Sequence, residues 1–74
     1  MDTADALREL RKEILEIIEF HQDQYRRASG PPSERYQANE SYVRSMKLYN
    51  KYAILIYSDS LRAVEMYLEA LQKV

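Results

Sequence analysis

The only glycine and both prolines of this 74-residue chain stand together, in Ser29-Gly30-Pro31-Pro32-Ser33. Glycine tolerates positive φ, and proline lacks a backbone donor and is excluded from helix interiors. This cluster is strong punctuation and divides the chain into two segments. The segments on either side carry no internal breaker. They predict one all-α domain over residues 1–74, with a helix at about 5–28, a turn at 29–33 and a longer helix at about 34–73. The architecture expected is an antiparallel helical hairpin.

The first segment places Leu7, Leu10, Ile14, Ile17, Ile18, His21 and Tyr25 at steps of three and four. That is the stripe of an amphipathic helix, which Leu15 and Phe20 widen. Asp2 or Thr3 can cap its start, where Asp5 and Glu9 suit the positive end of the helix dipole. Arg26 and Arg27 suit the negative end, and Gly30 can take a left-handed conformation just beyond it. Ser33 is the expected N-cap of the second helix.

Tyr52-Ala-Ile-Leu-Ile-Tyr57 is the longest uncharged apolar run, and the core is expected to be thickest there. Around it, Val43, Met46, Asn50, Ala53 and Tyr57 recur every three or four residues. The same rhythm continues through Ser60/Leu61, Val64, Tyr67/Leu68, Leu71 and Val74. Ser58-Asp59-Ser60 offers the one further place for a turn, yet each of these residues costs only about 0.5 kcal/mol inside a helix. A turn has no reason to preserve the register, so one uninterrupted helix is expected. The alternative is a monomeric three-helix bundle broken at Ser58–Ser60. A forty-residue helix spans about 60 Å and the first helix about 36 Å. Folded back at Gly30, the first helix covers the second only to about residue 54. Some twenty residues are then expected to lack an intramolecular partner. In this register Glu16, Glu19 and Asp23 lie roughly across from Arg44 and Lys47.

A chain this short hides only about 60% of its unfolded surface and is marginal without a disulfide, a metal or a partner. It has no cysteine and a single histidine, so association with another chain is the expected support. With 11 basic and 12 acidic residues the net charge is −1, giving no bulk attraction to nucleic acid or an anionic membrane. The longest apolar run is six residues, against about 20 needed to span a bilayer. The opening Met-Asp-Thr-Ala-Asp has neither a basic stretch nor an apolar one, so a cytoplasmic location is expected.

Catalytic chemistry is hard to build from these residues. On a helix His21 has Ile17, Ile18, Gln24 and Tyr25 as neighbours, none a usual metal ligand. It is expected to be a half-buried structural residue, bonded to a tyrosine or a backbone carbonyl. Glu9, Glu13, Glu16 and Glu19 form a solvated helix flank. One glycine cannot make a phosphate-cradling loop. No catalytic, cofactor or metal site is assigned, and the reading is non-enzymatic.

Six of the seven tyrosines, Tyr36, Tyr42, Tyr49, Tyr52, Tyr57 and Tyr67, fall in the second segment. A large ring with a hydroxyl suits core margins and interfaces. With Val43, Met46, Asn50, Ala53 and Tyr57 turned inward, and Tyr49 and Ile56 beside them, Leu48, Tyr52 and Leu55 point outward, a stripe that Met66 continues. This stripe is the candidate interface of a homodimer, two hairpins making a four-helix bundle, or of a contact with another protein. The second reading is a small nucleic-acid-associated protein. It would use Arg35, Arg44, Lys47 and Lys51 interleaved with tyrosines as a stacking strip.

Overall fold

The computed structural model describes residues 2–30 and 40–73. They form two α-helices, α1 (Thr3–Ala28) and α2 (Glu40–Gln72), packed against each other as a hairpin. No strand occurs among the described residues. The expected Ser33 cap and residues 31–39 lie outside them.

The start of α1 follows from Asp2. Its backbone is extended, and its carboxylate accepts a 2.7 Å hydrogen bond from the Asp5 N–H, one of the donors a helix start leaves unpaired. Thr3, the other candidate cap, is the first helical residue. At the far end Ser29 is the C-cap. Its N–H lies 3.0 Å from the Tyr25 carbonyl and 3.2 Å from that of Arg26, and the Gly30 N–H lies 3.2 Å from the Arg27 carbonyl. Arg26 and Arg27 stand in this last turn, where positive charge is favoured.

α2 runs through Ser58-Asp59-Ser60 without a break. The Ser60 hydroxyl donates to the Ile56 carbonyl at 3.1 Å, which gives a polar side chain a partner inside the helix. Of the inward positions, Val43, Asn50 and Ala53 are buried and Met46 and Tyr57 half-buried. The core continues beyond the serines: Val64 is buried against Ile14 and Ile18, with Leu7, Tyr57, Leu61 and Leu68 packed around them.

The overhang expected after residue 54 is absent. His21 meets Asn50 and Arg11 meets Glu65, where a fold at Gly30 would have set His21 near residue 39 and Arg11 near residue 49. Gly30 closes α1 but is not the apex of the hairpin. α1 therefore accompanies α2 almost to its end, and Leu7 and Leu68 both pack against the cluster of Ile14, Ile18 and Val64. The same shift moves Glu16 and Glu19 away from Arg44 and Lys47, while Asp23 stays roughly level with Lys47. Asp23 bonds to Arg26 and, at 3.1 Å, to Arg27 on its own helix, and Glu16 stands near Tyr57 rather than near Arg44. Among the described residues the cross-helix ion pair is Arg11–Glu65, at 3.4 Å and half exposed. Such pairs contribute only about 0–1 kcal/mol.

Candidate interaction surface

The centre of the hairpin is polar. Asn50, on the inward line of α2, is only 1% exposed, and His21 faces it from α1. The Asn50 side-chain amide donates to the Met46 carbonyl at 2.8 Å, which orients its oxygen toward His21. His21 Nδ1 lies 2.8 Å from that oxygen. An amide oxygen can only accept, so Nδ1 carries the proton in this bond. The histidine is thus more buried than expected. Its partner is the asparagine side chain, not a tyrosine or a backbone carbonyl.

Three aromatic rings close around the imidazole. Tyr57 stacks at 6.0 Å between centroids, while Phe20 and Tyr49 approach edge-on at 5.2 and 5.6 Å. Phe20 and Tyr49 come from different helices, yet both remain open to solvent, at 58% and 62%. With Ile17, they mark one side of the hairpin to which both helices contribute. Ile56 lies seven residues after Tyr49, two helical turns along the same side, and is 63% exposed. Tyr67, eleven residues further, extends the line. Phe20 was expected to widen the buried stripe, and Tyr49 and Ile56 to flank it. The register places them at its open margin.

Of the outward stripe, Leu48, Tyr52, Leu55 and Met66 are all exposed. All four come from α2, and Leu48 also lines a depression shared with Tyr25 and Ala28 of α1.

The basic residues divide. Arg35 lies outside the described residues. Arg44, Lys47 and Lys51 line one shallow depression beside Tyr25 and Leu48, near the C-terminal end of α1 and the N-terminal end of α2. Tyr49, two residues from both Lys47 and Lys51, is more than half a helical turn away from each and packs on His21 instead. Tyr49 and these bases thus occupy different sides of the helix.

Among the described residues no group of acidic, histidine or cysteine side chains is arranged to hold a metal ion. No helix among them is long and apolar enough to cross a membrane. Compared with known proteins, the chain matches no family model, no curated protein and no solved structure.

Proposed function

We propose that this protein is a non-enzymatic helical interaction module whose hairpin associates with a second copy to form a four-helix bundle. The observation that carries the reading is an imbalance between interior and surface. Five hydrophobic residues are buried, Ile14, Ile18, Val43, Ala53 and Val64, whereas thirteen large hydrophobic side chains are exposed among the described residues. Single exposed leucines are ordinary, but apolar side chains in line along a helix form a patch, and patches mark association. Two helices alone make one contact layer, in a body measuring 53 × 17 × 14 Å. A second hairpin supplies the missing layer and closes a bundle. Static light scattering at about 100 µM tests the reading. The expected mass is twice the 8.8 kDa of the chain, and a monomer there overturns it.

The nucleic-acid reading has one observation in its favour, the clustering of Arg44, Lys47 and Lys51. The separation of Tyr49 from these bases weighs against a stacking platform. At about 150 mM salt, binding to single- or double-stranded nucleic acid is expected to be weak and without sequence preference. Sub-micromolar binding whose salt dependence flattens in a Lys47→Gln/Lys51→Gln variant would reverse the ranking.

A further inference from the structure

We infer that the second copy docks on the side shared by both helices, centred on Phe20, Tyr49 and Ile56, rather than on the outward stripe of α2. The inference rests on the self-association reading and adds to it the face that is buried. In a four-helix bundle each helix packs on two neighbours, at roughly right angles around the bundle axis. The surface a hairpin presents to its mate must then be built from both of its helices. Phe20 and Ile17 from α1 and Tyr49, Ile56 and Tyr67 from α2 satisfy this, because the rings of Phe20 and Tyr49 meet the same imidazole. Leu48, Tyr52 and Leu55 belong to α2 alone, and a mate placed there would extend a row of helices without closing a core.

Only one side of the hairpin is apolar in this way. Arg11 lies nine residues before Phe20, and Glu65 nine residues after Ile56, two and a half helical turns in each case. The Arg11–Glu65 ion pair therefore bridges the helices on the side opposite the aromatic one.

A further observation favours a copy of this chain as the occupant. Tyr49, Ala53, Ile56, Ser60, Ala63 and Tyr67, at steps of three and four along this side of α2, include no charged residue. A two-fold contact brings a surface against itself, where like charges would repel. On α1, Glu13 and Glu16 line the groove together with Ile17, Phe20, His21 and Tyr57, and Glu13 stands two turns before Phe20, so the charge on this side comes from α1 alone.

Leu55 and Ile56 are adjacent, similarly exposed at 53% and 63%, and a hundred degrees apart on α2. Sedimentation velocity on the wild type, Leu55→Glu and Ile56→Glu separates the two faces, with circular dichroism to confirm retained helix. The wild type and Leu55→Glu should be dimers, and Ile56→Glu should weaken dimerisation at least about a hundredfold, since both copies lose a buried side chain. Phe20→Gln provides a check on α1: the residue is more than half exposed, so the hairpin should fold, yet the dimer should weaken. A dimer that survives Ile56→Glu and Phe20→Gln but dissociates in Leu55→Glu overturns this inference and leaves self-association standing. A monomeric wild type overturns both.

Discussion

Replacing Asn50 by alanine should be among the most damaging single changes in the hairpin, although it removes no apolar contact. The substitution leaves the buried His21 Nδ1–H without its acceptor, which costs about 1–3 kcal/mol. It also opens a small cavity at the most buried of the described positions, bringing the expected loss to about 2–4 kcal/mol. A domain of this length has only about 4–11 kcal/mol in total. His21→Leu should cost a similar amount for the converse reason, because the Asn50 oxygen then loses its donor. The double variant His21→Leu/Asn50→Leu should be far less damaged than the sum of the two single losses. Replacing both partners of a buried hydrogen bond by apolar groups strands neither. The Met46 carbonyl is not stranded either, since as part of the helix it still accepts from the backbone N–H of residue 50. Urea unfolding followed by circular dichroism, at one fixed protein concentration, gives the double-mutant cycle. A coupling of at least about 1 kcal/mol is expected. Additive single losses, or single losses below about 0.5 kcal/mol, would refute the claim that this bond anchors the pairing of the helices.

Three further outcomes are expected. Far-UV circular dichroism should show at least about 75% helix, since 26 and 33 of the 74 residues lie in α1 and α2; a sheet-rich spectrum of fresh protein would contradict the fold. Val64→Ala should cost about 1.5–3 kcal/mol, because α1 covers α2 this far along. A near-zero cost in urea unfolding would mean that the end of α2 is free. Asp2→Ala should cost about 0.5–2 kcal/mol through loss of the cap on the Asp5 N–H, and an unchanged midpoint would show that the cap contributes nothing.

The parts of the fold that could be read from the sequence are those a single helix dictates. The steps between Val43, Asn50, Ala53, Tyr57 and Val64 continue across Ser58–Ser60 in one register, and the helix does the same. Periodicity says which way a side chain points from its own axis. It says nothing about how far one helix slides along another. Reading Gly30 as the apex displaced the pairing of α1 by several residues and left Val64 uncovered on paper. The true register became visible only through His21–Asn50 and Arg11–Glu65. Asn50 could be placed inward from its spacing. Its bond to His21 could not, because that bond requires the register between the helices. The open side was hidden for the same reason. Phe20 and Tyr49 come together only through His21, although the seven-residue step from Tyr49 to Ile56 was a signal that a second line of apolar residues ran beside the first.

If a second copy completes the hairpin, folding and association should be one equilibrium. The direct measurement is the urea midpoint of the wild type at protein concentrations spaced tenfold, from about 1 to about 100 µM. A dimer that unfolds to two free chains gains about 1.4 kcal/mol per tenfold step, which should raise the midpoint by roughly 0.5–1.4 M urea. A midpoint that stays constant across the series would contradict the account, because the hairpin would then be stable on its own.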